Sequence, residues 1–287
     1  MPFYIYAWIA SFSSALIVII TKLTSKHAIS NAWLFNFLWT LVILLFTIPA
    51  ALSHHAGLPS DWTPIIIAAF FAALWNIFFI LSIYRLDVST LSPLFNFRTV
   101  FAVLLGVLFL HENLTSYQII LFLVIVITGV FATFDEKFSI KSFFKSSTAI
   151  GLLAMLFLAL NSGFIKLALV RNTIWTVNLW ESIITFLLIS LTIPLFYKDF
   201  KRIKINQVLP IGAMGIFQTV TNFTANIAYG VNVSVTSLIM AVPISMILAF
   251  LFSVFAPTLL EKHTYKVYTI RFAAAIIMIF AALQLSK

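Results

Sequence analysis

Residues 84–89 read YRLDVS, and 145 positions later residues 229–234 read YGVNVS. In the same way the tetrapeptide ENLT at 112–115 returns as EKHT at 261–264. A nearly constant offset with small slips is what a duplicated unit with loop insertions leaves in a sequence. Three further pairs are 142–145 positions apart: Trp33 and Asn36 with Trp175 and Asn178, residues 47–49 (TIP) with 192–194 (TIP), and Lys22 with Lys166. The sequence therefore predicts two copies of one unit.

The composition predicts that this duplicated chain lies in a membrane. Hydrophobic residues make up 62% of it and charged residues only 9%, whereas soluble domains carry about 25% charged residues. Long apolar runs recur between short polar breaks, and a helix of about 20 apolar residues crosses a hydrocarbon core about 30 Å thick. We predict ten spans: 3–21, 31–52, 63–84, 88–110, 116–134, 148–170, 175–196, 207–229, 232–256 and 265–284.

The repeat divides these ten spans into five and five. We predict a first five-helix repeat at 1–134, a cytoplasmic linker at 135–147 and a second five-helix repeat at 148–287. Because five is odd, the second repeat enters the membrane from the side opposite the first. The predicted fold class is thus an all-α polytopic membrane protein with two inverted repeats, an arrangement that places a substrate site between the repeats near the bilayer midplane.

The positive charges are distributed unevenly along the chain. The net charge is +9, but most lysines and arginines fall in or beside the odd-numbered loops, as the positive-inside rule requires for cytoplasmic loops. We therefore expect cytoplasmic odd loops, both termini outside, a bilayer as partner and no nucleic acid. The chain has no cysteine, which excludes disulfides and thiolate metal sites, and we expect neither a metal nor a cofactor. The sequence does not indicate an oligomeric state.

The repeated residues resemble the drug/metabolite transporter superfamily, specifically its EamA-type members. The resemblance rests on the glutamate after the fourth span of each repeat, Glu112 and Glu261, and on the lysine late in each first span, Lys22 and Lys166. It implies a ten-helix inner-membrane carrier of small metabolites such as amino acids, with a central cavity between the halves. One position departs from the family: Arg98 stands where members usually carry a proline.

Arg98 is the first candidate for substrate binding. It lies about ten residues into the fourth span, where a charge costs about 2.5–3.5 kcal/mol on insertion scales and should face the bundle interior. A guanidinium binds carboxylates and phosphates bidentately, so Arg98 is a candidate anion-binding group. The alternative is a permanent ion pair with Glu181.

Glu181 is a carboxylate well inside the seventh span. If transport is coupled to protons, it is the best titratable candidate. If it is paired with Arg98 or Lys166, the coupling role disappears. The sequence leaves both interpretations open.

Polar residues at helical spacing predict the rest of the site. Gln218, Asn222 and Asn226 are four residues apart and share one face of the eighth span, which Tyr229 continues. Such a face suits a water-filled cavity, although amides also join helices to each other. Weaker candidates share this polar character inside other spans: Ser92 and Asn96 in the fourth and Asn76 in the third.

The Glu-x-x-Thr repeats, Glu112 with Thr115 and Glu261 with Thr264, are interpreted as structural, because they fall at membrane edges. The predicted function is a secondary transporter, not an enzyme, that moves a small amino-acid-like or anionic metabolite, with export favoured, by alternating access. The alternatives are a lipid-carrier flippase and a membrane-embedded enzyme.

Overall fold

The computed structural model describes residues 1–85, 88–131, 146–201, 203–242, 244–245, 247–248, 251 and 265–285. Of the described residues, 85% are helical and none lies in a strand. The first helices are α1 (Phe3–His27), α2 (Ala32–Ser53), α3 (Thr63–Arg85), α4 (Val88–Phe109), α5 (Ser116–Phe131) and α6 (Ser146–Leu169). They are followed by α7 (Ile174–Ser190), a 3-10 turn (Ile193–Leu195), α8 (Tyr197–Phe200), α9 (Ile205–Val231), α10 (Val233–Met240) and α11 (Tyr265–Leu285).

Several of these helices have the length and composition of membrane spans. Among the described residues, four are long and apolar enough to cross a bilayer: Phe3–His27, Ala32–Ser53, Thr63–Arg85 and Ala149–Leu169. Shorter apolar helices are Phe97–Phe109, Ser116–Thr128, Ile174–Ser190 and Phe272–Gln284. Large apolar side chains such as Phe70, Leu108 and Phe280 are exposed on them, as expected of surfaces that face lipid. The predicted helical membrane protein is confirmed, while the count of ten spans and the repeat stay predictions.

Three helix ends differ most from the predicted boundaries. The ninth span was predicted at 232–256, but α10 ends at Met240, and a turn at Ala241 and a bend at Val242 follow. The first span was predicted to end at residue 21, but α1 continues to His27 and carries Lys26 and His27 in its last turn, where cations interact favourably with the helix dipole. The seventh span was predicted to reach residue 196, but α7 ends at Ser190. Pro194 lies in the 3-10 turn that follows, and a proline disfavours helical geometry at the residue before it. Pro49 of the matching tripeptide, by contrast, lies inside α2.

The helices pack in pairs that join early helices to late ones. The most extensive contacts are α3 with α6, α1 with α9, α4 with α6, α2 with α7, α5 with α11, α3 with α7, α2 with α9, α4 with α10, α6 with α9 and α1 with α10. Trp39 and Phe35 of α2 are fully buried at the centre of the largest apolar cluster. Most of these contacts therefore join the two halves of the chain, whereas α6 with α9 lies within the second half.

Polar contacts join the halves at both ends of the bundle. At one end, where α2, α4 and α6 finish, the Ser60 amide donates to Asn172 Oδ1 at 2.8 Å and Trp180 Nε1 donates to the Gly57 carbonyl at 2.9 Å. At the other end, where α1, α3 and α7 finish, Asn31 Nδ2 donates to Asp199 Oδ2 at 2.7 Å. We call the end where α2, α4 and α6 finish the latch end, and the end where α1, α3 and α7 finish the basic end.

Candidate functional site: a polar cavity between the halves

A central cavity lies among α1, α2, α3, α4, α6, α7, α9 and α10 and contains about 1290 Å³ of space not occupied by atoms. It lies at the middle of these helices, because residues near the helix midpoints line it. Seven of the residues proposed from the sequence are among them: Asn76, Arg98, Glu181, Gln218, Asn222, Asn226 and Tyr229. The side chains of Ser92 and Asn96 lie outside the described part of the chain.

Arg98 is buried in the cavity wall, with 8% of its surface exposed. Its guanidinium carbon lies 5.7 Å from the centroid of the Tyr229 ring, and its Nη2 lies 3.9 Å from the sulfur of Met240. Its Nε is buried without a hydrogen-bond partner. Sulfur is a weak acceptor, so this cation retains strong unused donor capacity toward the cavity.

Glu181 lines the same cavity and is also 8% exposed. Its Oε1 accepts a hydrogen bond of 2.7 Å from Asn161 Nδ2. The residues that the structure describes include one ion pair between side chains, and it joins Lys166 to Glu112. In this conformation Glu181 forms no ion pair with Arg98 or with Lys166: Arg98 packs on Tyr229, and Lys166 lies at the latch end.

Asn161 is a cavity residue that the sequence reasoning missed. Its Nδ2 donates both to Glu181 and, at 3.0 Å, to the carbonyl of Ala68 in α3. It thereby fixes the Glu181 carboxylate against a neighbouring helix. Asn161 is a lone amide in the apolar sixth span, and the same rule that selected Asn76 would have selected it.

The amides of α9 divide into two roles. Gln218 Nε2 donates to Asn222 Oδ1 at 2.7 Å along the helix, so this pair faces the cavity together. Asn226 Nδ2 donates to Asn178 Oδ1 at 3.1 Å and joins α9 to α7. The stripe therefore combines the two predicted roles of cavity lining and interhelical contact.

Further polar atoms of the cavity wall lack partners. The indole nitrogens of Trp39 and Trp75 and the carbonyl oxygen of Asn76 are buried without a hydrogen bond. The two indole rings pack edge to face with centroids 5.9 Å apart. Buried polar groups are nearly always hydrogen-bonded, so these unpaired atoms set the residues of the cavity wall apart.

Glu112 lies outside the cavity, in the loop between α4 and α5, and its carboxylate accepts four hydrogen bonds. The donors are Lys166 Nζ at 2.6 Å, the Val233 amide at 2.7 Å, and the amide and hydroxyl of Ser234 at 3.0 and 2.6 Å. These amides are the first of α10, whose positive dipole end favours a carboxylate. We call Glu112, Lys166, Val233 and Ser234 the latch.

Two opposing effects act on the pKa of Glu112. Burial alone raises the pKa of a carboxyl, but the hydrogen bonds from Lys166, Ser234 and Val233 favour the charged form, and the pKa lies below its ordinary value. Gly106 makes room for this arrangement, because a Cβ there would overlap Ser234 Oγ and Glu112 Oε2.

Thr115 has its own local role. It precedes α5, and its Oγ1 accepts a hydrogen bond of 3.2 Å from the Gln118 amide while its own amide donates to Gln118 Oε1 at 3.0 Å. This reciprocal pair is a capping box. In the first half, Glu-x-x-Thr therefore combines a latch carboxylate with a helix cap.

The second copy of this motif, Glu261 with Thr264, and most of the predicted linker at 135–147 lie outside the described residues. Lys22, the counterpart of Lys166, donates from Nζ to the carbonyl of Ile83 at 3.5 Å. Within the described part, no group of His, Asp and Glu side chains could hold a metal ion.

Residues 1–134 match the model of the EamA-like transporter family. That family is part of the drug/metabolite transporter superfamily, and the predicted resemblance is confirmed over these residues. Members are transporters and not enzymes, so the match indicates a membrane transporter of the drug/metabolite type.

The other comparisons concern the fold. No curated protein shows significant similarity to the chain. Among solved structures 28 chains match, and one of them is a crystal structure described only as that of a protein. It aligns with a TM-score of 0.69 at 17% identity and covers 97% of this chain and 98% of that one. This similarity shows a common fold over nearly the whole chain.

Proposed function

We propose that this protein is a secondary transporter that moves a small anionic or amino-acid-like metabolite by alternating access of the central cavity. The observation that carries the proposal is the buried guanidinium of Arg98, which lines the cavity without a carboxylate partner among the described residues. A buried charge is costly unless it is paired. A negatively charged substrate group supplies that partner.

The donors around Arg98 favour a substrate with oxygen acceptors. Arg98 Nε and the indole nitrogens of Trp39 and Trp75 are donors without partners in the cavity wall. A carboxylate accepts several such hydrogen bonds, and bonds to a charged acceptor are stronger than bonds between neutral groups. This chemistry supports a carboxylate or phosphate group on the Arg98 side.

Glu181 supplies a second charged group to the cavity wall, an acidic one. The Asn161 amide fixes one of its carboxylate oxygens, which leaves other lone pairs of the carboxylate for a substrate ammonium group or a proton. An amino-acid-like substrate would bind Arg98 with its carboxylate and Glu181 with its ammonium group at the same time. Coupling to protons would instead use Glu181 as the group that is protonated and deprotonated during transport.

The pattern of helix contacts supports two inverted repeats within ten spans. In that interpretation α9 is span eight, residues 232–256 are span nine and α11 is span ten. Each span of the first repeat then corresponds to the span five positions later, so two helices that touch should have counterparts that also touch. Three pairs of contacts agree with this correspondence. The contact of α3 with α6 has its counterpart in that of α9 with α1, the contact of α4 with α6 in that of α10 with α1, and the contact of α3 with α7 in that of α9 with α2. Two such halves rocking about the cavity would expose it to each side in turn.

The latch would close one side of the cavity during this cycle. It joins the loop after α4, in the first half, to α6 and α10 in the second half. The positive-inside pattern places the latch outside the cell and the basic end in the cytoplasm, with both termini outside. We place the protein in the bacterial inner membrane and favour export.

Counterflow in proteoliposomes tests this function. Purified protein is reconstituted in vesicles loaded with one candidate metabolite, and exchange with the same labelled compound outside is measured for carboxylates, phosphates and amino acids. We expect exchange of at least one anionic or zwitterionic compound and none of neutral analogues of the same size. Scrambling of a labelled lipid without exchange of any soluble metabolite would contradict the proposal and favour a lipid-carrier flippase.

A further inference from the structure

The chain between α7 and α9 forms a distinct segment at the basic end. After Ser190 the chain does not continue as a long helix: it makes a 3-10 turn at Ile193–Leu195 and the single turn α8. With only 17 residues, α7 is about 25 Å long, and an apolar segment that follows so short a span is expected near the membrane interface. We call residues 191–201 and 203–204 the interfacial segment.

Two side chains hold the interfacial segment against the start of α2. Phe196 is 2% exposed, and its ring centroid lies 5.2 Å from that of Phe37. Asp199 Oδ2 accepts a hydrogen bond of 2.7 Å from Asn31 Nδ2, while Oδ1 of the same asparagine caps the first turn of α2. The segment thus has a fixed position on the protein.

Among the other exposed side chains of the segment, six alternate in chemistry. Leu195, Tyr197 and Phe200 are exposed apolar or aromatic residues. Lys198, Lys201 and Lys204 lie between and beside them and are exposed as well. The Lys198 ammonium lies 5.9 Å from the centroid of the Tyr197 ring.

The positive charges of this surface are not balanced by carboxylates among the described residues. None of the three lysines forms an ion pair within the described residues. The one carboxylate of the segment, Asp199, is occupied by Asn31. The outward surface is therefore cationic as well as apolar.

We propose that the interfacial segment binds the headgroups of anionic phospholipids. Leucine and aromatic side chains insert at the boundary of headgroups and acyl chains, and lysines extend their ammonium groups to the lipid phosphates. Cationic residues next to membrane spans are attracted to anionic lipids in this way. This binding surface is separate from the central cavity and does not depend on which substrate the cavity takes.

Binding here has a structural consequence for the basic end. The same region holds a second contact between halves, because Gln207 Nε2 at the start of α9 donates to the carbonyl of Ala28 before α2 at 2.7 Å. A lipid held on the interfacial segment therefore stabilises contacts between the first and second halves. Anionic lipid should raise the thermal stability of the protein.

The test compares two double variants with the same net charge on the same end of the molecule. K198Q/K201Q removes two lysines of the interfacial segment, while K26Q/R85Q removes two exposed cations at the ends of α1 and α3. The full chain and both variants are reconstituted in phosphatidylcholine vesicles with and without about one third phosphatidylglycerol. The thermal unfolding midpoint is then measured in each.

We expect phosphatidylglycerol to raise the midpoint of the unchanged protein by several degrees, and K198Q/K201Q to lose at least half of that gain. K26Q/R85Q should keep most of it. Equal losses in both variants would reduce the effect to overall charge and overturn the proposal. No gain in the unchanged protein would overturn it as well.

A second measurement does not depend on the folding of K198Q/K201Q. The chain has no cysteine, so Leu195→Cys provides one labelling position for a polarity-sensitive fluorophore. We expect blue-shifted emission when phosphatidylglycerol is added to phosphatidylcholine vesicles that contain the labelled protein. Emission that does not change with lipid charge would contradict insertion of this segment.

Discussion

The latch and the cavity each contain a cation and a carboxylate, but they use them in opposite ways. In the latch, Lys166 and Glu112 form an ion pair at 2.6 Å, and the Glu112 carboxylate accepts three more hydrogen bonds. In the cavity, Arg98 and Glu181 line one space without forming an ion pair. Each has free hydrogen-bonding capacity: Arg98 at its buried Nε, and Glu181 beyond its bond from Asn161.

This difference separates charges that stabilise the fold from charges that are available to a ligand. A buried charge with all its hydrogen bonds formed stabilises the conformation in which those bonds exist, and removing one of its partners lowers the stability of the protein. A buried charge without its partners costs stability by itself and is retained where a function requires it. Changes in the latch should therefore affect stability, and changes in the cavity should affect transport.

The largest expected effect comes from Arg98→Ala. It removes the proposed partner of the substrate anion, and truncating one member of a buried charge pair costs about 2–5 kcal/mol. Exchange of an anionic substrate should fall at least about 30-fold, while the amount of folded protein should stay the same. Arg98→Lys keeps the charge without the planar fork and should recover part of the activity. Unchanged exchange in Arg98→Ala would exclude Arg98 from substrate binding.

The next effect in size is expected for Glu181→Gln, which keeps the shape of the side chain but cannot release a proton. If Glu181 couples transport to protons, uptake driven by a pH gradient should be lost while exchange without a gradient continues. Asn161→Asp, which removes the amide that fixes Glu181, is the matched variant and should weaken the same coupling. Full gradient-driven uptake in Glu181→Gln would exclude Glu181 as the coupling group.

In the latch, Glu112→Gln should lower stability by about 2–3 kcal/mol, because a buried acceptor of four hydrogen bonds loses its charge. Since the pKa of Glu112 lies below its ordinary value, the charged latch stabilises the fold above the unfolded-state pKa of about 4.3. That contribution is lost as the pH falls through the lower folded-state pKa. Thermal unfolding from pH 3 to 7 should therefore show the two proteins converging at acid pH.

The control for this change is Arg171→Gln, which removes an exposed charge at the same end of the molecule. Its unfolding midpoint should stay close to that of the unchanged protein. A Glu112→Gln protein as stable as Arg171→Gln at neutral pH would show that the latch contributes nothing to the fold.

The smallest effect is expected for Gly106→Ala. The added Cβ would overlap Ser234 Oγ and Glu112 Oε2, and overpacking of this kind costs about 1–3 kcal/mol. Gly163→Ala in α6 is the matched variant, since a Cβ there meets nothing within 4 Å. It should stabilise the helix by about 0.5–1 kcal/mol. Unfolding midpoints that shift in the same direction would contradict the close packing at Gly106.

Much of the site could be predicted because polar residues inside an apolar span must face the interior. That rule selected Arg98, Glu181 and the α9 stripe, and it applies whatever the neighbouring helices are. It did not provide the partner of Lys166, because pairing depends on how α4, α6 and α10 pack. The indole groups of Trp39 and Trp75 were missed as well, because tryptophan in an apolar span gives no signal of an unpaired donor.

The end of α7 shows a similar limit for the fold. Hydropathy continues through Leu191, Ile193 and Leu195, so a span predicted from apolar residues extends to residue 196. The backbone leaves the helix after Ser190. The matching tripeptide in α2 keeps its proline inside a helix, so the local sequence alone did not distinguish the two outcomes.

The most direct test of the account measures the unfolding midpoint of the unchanged protein, Arg98→Ala and Glu112→Gln, each with and without the metabolite that gives counterflow. We predict that the metabolite raises the midpoint of the unchanged protein. Arg98→Ala should have a ligand-free midpoint no lower than that of the unchanged protein and lose this rise, whereas Glu112→Gln should have a lower ligand-free midpoint and keep the rise. A full rise in Arg98→Ala, or its loss in Glu112→Gln alone, would contradict the assignment of substrate binding to the cavity and of stability to the latch.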